Sequence, residues 1–183
     1  MEKWLEKIDS NTQDLIKTLG QLSIKELNWK PNANTWSIAQ NIDHLIVINN
    51  TYFPVIKSLR KGTYKLPFIA NFGFIVSFLG KTILGAVQPD RKKKIKTFPV
   101  WEPATSDIPA GILDKFQEHQ TELKHMMKDA SDLVEKGVVI SSPANRNIVY
   151  KLETAFDIIV LHEQRHFNQA KEVFQLLQEK TSS

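Results

Sequence analysis

Apolar residues recur at helical spacing in four stretches of the chain, separated by polar, proline-containing or irregular segments. In the first, from Trp4 to Leu22, Leu5, Ile8, Leu15, Ile16 and Leu19 trace one helical face. Ser23-Ile24-Lys25-Glu26 then has the form of a capping box over a short turn, and Pro31, Asn32 and Asn34 break the chain. A second helix is predicted after Ser37 as N-cap, running to about Arg60 with Ile38, Ile42, Leu45, Ile46 and Ile48 as its stripe. Pro54 inside it predicts a kink, because proline lacks an amide hydrogen and clashes with the preceding turn.

The third predicted helix starts near Pro109, capped by Ser106 or Asp107, and ends before Gly137. Ile112, Leu113, Phe116, Leu123, Met126 and Met127 form its apolar side. Ser141-Ser142-Pro143-Ala144-Asn145 reads as a loop, and the fourth helix extends from about Glu153 to Lys180. Strand signal is slight. Four amphipathic helices imply an all-α four-helix bundle, one domain over residues 1–183, with a long crossover between helices 2 and 3.

That crossover holds the least regular pattern. Leu66 to Gly80 carries no charge and includes Phe68, Phe72, Phe74 and Phe78. It is shorter than the roughly 20 apolar residues a membrane-spanning helix needs, so it is expected to form one or two short helices that cap the bundle or meet another subunit. Pro89, Arg91-Lys92-Lys93-Lys94-Ile95-Lys96, Pro99 and Pro103 then predict an extended connection. An apolar patch of that size is unusual on a soluble monomer, so a homodimer is expected, with the segment in the interface or folded across one end of the bundle.

Composition narrows the chemistry. A chain of 183 residues with 42% hydrophobic content can bury one substantial core. The absence of cysteine excludes structural disulfides, thiolate zinc sites and an internal thiol nucleophile. Met1-Glu2-Lys3-Trp4-Leu5-Glu6-Lys7 has no apolar signal-peptide core, so a cytoplasmic location is expected. The net charge of +4 comes largely from the run at 91–96, which lacks the aromatic or glycine interleaving of a nucleic-acid site. A solvated loop is the reading there, with no nucleic-acid partner and no membrane association expected.

His162-Glu163-Gln164-Arg165-His166 places two imidazoles one helical turn apart, able to face one ion. The pattern is also H-E-x-x-H, the zinc-protease signature, in which the glutamate is a general base. A metzincin would have a histidine at position 172, where this chain has Glu172, and no glycine follows His166. A third ligand must then come from upstream. Aspartate and glutamate are available, but imidazole suits a borderline metal such as zinc or nickel. Of the remaining histidines, His119 and His125 lie six apart among charged residues and read as surface groups, which leaves His44. Three imidazoles leave a four-coordinate ion one open position, the arrangement of a catalytic site. Gln40, a turn before His44, and Gln169, three residues past His166, are candidate substrate contacts or supports for the ligands. Glu163 is the candidate base for a hydrolase, although it is rotated about 100° from His162 and so can face a neighbouring helix or solvent instead.

Trp36-Ser37-Ile38-Ala39-Gln40-Asn41-Ile42-Asp43-His44-Leu45 and His162 through Ala170, preceded by Asn28-Trp29-Lys30-Pro31, resemble the DinB-like (DNA-damage-inducible) metal-binding four-helix-bundle superfamily. The resemblance spans nearly the whole chain in order and spacing. It implies that His44, His162 and His166 bind one divalent ion per chain, zinc or nickel. Some relatives are S-transferases that use bacillithiol, mycothiol or glutathione. By that resemblance the expected function is activation of a small thiol cosubstrate for transfer to an electrophilic small molecule. A metal-dependent hydrolase and a non-enzymatic small-molecule-binding module are the alternatives. Neither the segment 66–80 nor the basic run matches the family pattern.

Overall fold

The computed structural model describes residues 1–90 and 97–182, so the basic run at 91–96, expected as a solvated loop, lies outside the described residues. Four long helices dominate: α1 (Glu2–Leu19), α3 (Ile38–Asn50), α6 (Ile112–Asp129) and α8 (Leu152–Thr181). α1 packs against α6 and α8, and α3 packs against the same two, which closes a four-helix bundle. The all-α bundle read from the apolar periodicity is therefore the fold.

Local chemistry explains the boundaries. The Ser23–Glu26 capping box opens the short α2 (Ile24–Asn28), and Ser37 with Gln40 forms a second box at the start of α3. The kink expected at Pro54 is instead a break at Thr51, after which α4 (Tyr52–Arg60) begins. Pro54 then lies in the first turn of α4, where a missing amide leaves no helical bond unmade. Gly111, at φ 85, starts α6 three residues later than Ser106 to Pro109 suggested, because its left-handed backbone turns the chain into the helix. α6 stops at Asp129, and the short α7 (Ser131–Glu135) completes the stretch predicted as one helix.

The expected loop around Pro143 is an antiparallel hairpin. β1 (Val139–Ser142) pairs with β2 (Asn145–Lys151), Ile140 facing Tyr150 and Ser141 facing Val149. Ile140, Val149 and Tyr150 are buried, so these branched and aromatic side chains override the turn residues between them. The crossover contains a 3-10 turn at Phe68–Asn71 and α5 (Gly73–Ala86), in line with the short helices expected there. α5 lies on β2 and α8, and Gly80 permits the close approach: a Cβ there would meet Tyr150 and Thr154 at 3.3 Å. Among the described residues nothing covers the segment's phenylalanines; Phe68 is 77% and Phe74 74% exposed. No described helix is long and apolar enough to cross a membrane.

The core falls into two apolar halves. One gathers Ile8, Tyr52, Leu123, Phe156 and Val160, and the other Leu15, Leu45, Phe116 and Phe167. Between them lie Asn11, Asn49, Gln120 and Glu163, all buried, one from each bundle helix. His119 joins the buried set and not the surface, contrary to its charged neighbourhood in sequence, and burial pushes its pKa down to about 4. His125 is exposed, as expected.

Candidate metal centre

α3 supplies His44, and α8 supplies His162 and His166 one turn apart. Because α3 and α8 pack directly on each other, the three rings meet: one ligand nitrogen from each lies within 4.8 Å of the others. The ring centroids are 4.4 Å apart for His162 and His166, 4.5 Å for His44 and His166, and 5.1 Å for His44 and His162.

Hydrogen bonds fix which nitrogen each ring presents. His44 Nδ1 lies 2.6 Å from the Trp101 carbonyl oxygen, which only accepts, so Nδ1 carries the hydrogen and Nε2 keeps its lone pair. His166 Nδ1 lies 2.9 Å from Asn41 Oδ1, while Asn41 donates its amide hydrogen to the Ser37 carbonyl at 2.9 Å. That second bond sets the Asn41 amide with its oxygen toward the ring, so His166 also donates through Nδ1 and presents Nε2. The Nε2 atoms of His162 and His166 are 3.1 Å apart. Two nitrogens bound to one tetrahedral ion at roughly 2.0–2.1 Å sit about 3.3 Å apart, so the pair needs little adjustment to share a cation.

Electrostatics keep the rings neutral. Burial lowers the pKa of all three; for His162 and His166 the neighbouring His44 and Arg165 lower it further, and for His166 so does His162. Protons are therefore weak competitors for the lone pairs. Three neutral imidazoles with oriented Nε2 atoms fit a divalent cation of borderline character.

The surroundings leave one side more open. His44 is 1% and His166 7% exposed, whereas His162 is half-buried. Trp36 stacks on His166 at 5.8 Å and 21° and leans on His44 at 5.0 Å, roofing those two rings. Arg165 donates to the Gln88 carbonyl at 3.0 Å, which ties α8 to the chain just past α5. Two surface depressions, of about 280 and 350 Å³, are lined by other residues and touch none of these histidines. Ligand chemistry, more than cavity shape, marks the site.

The remaining sequence candidates sit elsewhere or further out. Gln40 spends its side chain on the Ser37 amide and the Ala104 carbonyl at 3.1 and 2.8 Å, so it braces the crossover that carries Trp101. Glu163 Oε1 accepts from Asn49 at 2.9 Å and from Gln120 at 3.0 Å, and its Oε2 is sealed from solvent. The carboxyl thus belongs to the polar layer between the two core halves, not to a solvent-facing position beside the imidazoles, and its pKa is pushed up to about 7 by burial. Gln169 is half-buried on α8, three residues past His166. Sequence reasoning passed over Trp36 and Asn41 as individual groups, although both lie in the quoted motif. Trp101 is 57 residues from His44 and has no local signal.

The sequence profile of the DinB superfamily matches residues 7–170. Among solved structures the fold is similar to YfiT from Bacillus subtilis, described as a probable metal-dependent hydrolase with an unusual four-helix bundle topology. The similarity has a TM-score of 0.58 at 14% identity and covers 96% of this chain and 86% of that one. No curated protein matches the chain significantly.

Proposed function

This chain belongs to the DinB superfamily, and we propose that it is a divalent-metal-dependent enzyme activating a small thiol cosubstrate for attack on an electrophilic small molecule. The observation that carries the reading is the donor set: three neutral imidazoles converge, and the carboxyl of the H-E-x-x-H pattern, that of Glu163, is committed to Asn49 and Gln120. A divalent ion such as zinc or nickel, when bound there, supplies a Lewis acid that acidifies a coordinated thiol or water. A thiol ordinarily ionises near 8.5 and needs only a small push at neutral pH, whereas water needs a far larger one and is helped by a base. A site whose motif glutamate is engaged in the core therefore suits a thiol.

The chain's own groups bind, orient and shield. His44, His162 and His166 are the ligands, the Trp101 carbonyl and Asn41 hold two of them with Nε2 inward, and Trp36 excludes water above. Gln169 is the side chain we assign to substrate contact, and Gln40 acts at one remove through the Ala104 segment. With no cysteine in the chain, the thiol comes from outside, which suits a reducing cytoplasm. The description of YfiT supports a hydrolase as the second reading, with metal-bound water in place of the thiol.

One assay separates them. Metal-loaded protein is offered bacillithiol, glutathione or coenzyme A with a chloro-aromatic, where the sulfur replaces chloride and the thiol proton passes to buffer. Activated ester and amide substrates are run in parallel without thiol. Thiol-dependent chloride release that is lost in His44→Ala supports the transferase. Hydrolysis without thiol supports the second reading, and no turnover with either leaves a metal-stabilised binding module.

A further inference from the structure

α5 is apolar nearly all the way round, a pattern that belongs to a helix covered on every side. Among the described residues, only its inner side is covered. Val76 and Gly80 are buried toward β2 and α8, while Phe74 and Phe78, one turn apart on the outer side, are 74% and 68% exposed. The preceding 3-10 turn extends the same surface: Phe68 is 77% and Phe72 40% exposed, with ring centroids 5.4 Å apart, and Phe72 lies 6.3 Å from Phe74. At roughly 150–250 Å² per phenylalanine side chain, the four rings present on the order of 500 Å² of contiguous apolar surface, the size of patch that usually has an occupant.

Charge says which occupant. From His44 to Gln88 the sequence contains no acidic residue, although the whole chain has 20. It contains Lys57, Arg60, Lys61, Lys65 and Lys81. Arg60 is paired with Asp132, but Lys57, Lys61, Lys65 and Lys81 are exposed, and Lys65 and Lys81 bracket the aromatic patch. Lys81 follows Phe74 by two turns and so continues the Phe74–Phe78 stripe. An apolar face edged by lysines matches the interface of an anionic bilayer, where the rings enter the acyl boundary and the ammonium groups meet the headgroups. A second copy fits less well. A two-fold pairing would set these lysines against each other, and the patch falls short of the about 800 Å² per partner that a stable dimer buries.

We propose that α5 and the 3-10 turn before it form a monotopic docking surface for anionic lipid bilayers, with Phe68, Phe72, Phe74 and Phe78 as the inserting side chains and Lys65 and Lys81 as headgroup contacts. The surface lies on the outer side of the bundle and is independent of the metal chemistry, so it can stand or fall alone. α5, at 14 residues, lies along the interface without spanning it.

Co-sedimentation with vesicles of equimolar phosphatidylcholine and phosphatidylglycerol, at low and high ionic strength, tests it. The full chain is expected to bind these vesicles, to bind pure phosphatidylcholine at least about tenfold more weakly, and to lose affinity with salt. Phe74→Ser with Phe78→Ser should reduce binding at least about tenfold, with helical circular dichroism and metal content unchanged. Lys65→Glu with Lys81→Glu leaves every apolar side chain in place and should weaken binding to the anionic vesicles alone. Failure to bind anionic vesicles at low salt, or binding indifferent to the Phe pair, overturns the proposal. So does a dimer in sedimentation equilibrium that the Phe pair converts to monomer, because the patch then belongs to a second copy.

Discussion

At His166 the decisive neighbour is a single amide oxygen. Asn41 is held by its own bond to the Ser37 carbonyl, and its Oδ1 in turn holds the ring with Nε2 toward His44 and His162. Removing that oxygen leaves the ring in place but free to rotate and to change tautomer. Asn41→Ala is therefore expected to weaken divalent-metal binding by roughly 10–100-fold without unfolding the protein, and Asn41→Asp, which keeps an acceptor, should recover much of it. Competition titration against a chromophoric chelator measures the difference; equal affinities in Asn41→Ala and the parent would remove Asn41 from the site's construction. The pairing of His162 with His166 was legible in sequence, since an i, i+4 histidine pair is a local pattern. Trp101 was not, because its carbonyl reaches His44 only after the crossover has been folded back.

Among the elements, the bundle helices share one device. Asn11 follows Ile8 by three residues and precedes Leu15 by four, and Glu163 stands in the same way between Val160 and Phe167. Asn49 and Gln120 repeat it in reverse order, four after Leu45 and Phe116 and three before Tyr52 and Leu123. Each helix thus interrupts its apolar stripe with a polar residue at this level, and Asn11, Asn49 and Gln120 all meet Glu163 there. The H-E-x-x-H spelling drew Glu163 toward the metal chemistry, while its position on the stripe pointed into the core. The hairpin was hidden for a related reason: Ser-Ser-Pro-Ala-Asn is turn chemistry, and only the short β-branched and aromatic runs on either side, Val138 to Ile140 and Ile148 to Tyr150, mark strands.

The polar layer gives stability a pH dependence. Burial raises the Glu163 pKa from 4.5 to about 7, so the folded state holds a proton that the unfolded chain gives up. The resulting stability is complete below pH 4.5 and is lost as pH rises through 7, a change on the order of 2–3 kcal/mol between pH 5 and 8. Glu163→Gln keeps the shape and removes the proton. Denaturant melts of the metal-free proteins at both pH values should show this loss in the parent and a flat response in the variant; parallel curves would place Glu163 in a more polar setting than described. Glu163→Ala should cost about 2–4 kcal/mol at pH 5, because it strands the Asn49 and Gln120 donors, and less at pH 8, where the parent has lost its own pH-dependent share.

For the whole molecule, the long connection between α3 and α6 does two jobs that the bundle alone cannot. Its far end brings Trp101 to the back of His44, and its near end sets α5 on the outside with the phenylalanines facing away. Four-helix periodicity was enough to read the scaffold, but not how an apolar, charge-free stretch would be placed on it, since burial and exposure are set by packing partners far away in sequence. The candidate metal site, His44 with His162 and His166, joins α3 to α8. Its occupancy is measured most directly by elemental analysis of protein purified without chelators, followed by zinc and nickel titration of the stripped chain. About one divalent ion per chain is expected, lost in His44→Ala and in His166→Ala. No metal as purified, together with no zinc or nickel uptake on titration, would contradict a metal centre at His44, His162 and His166.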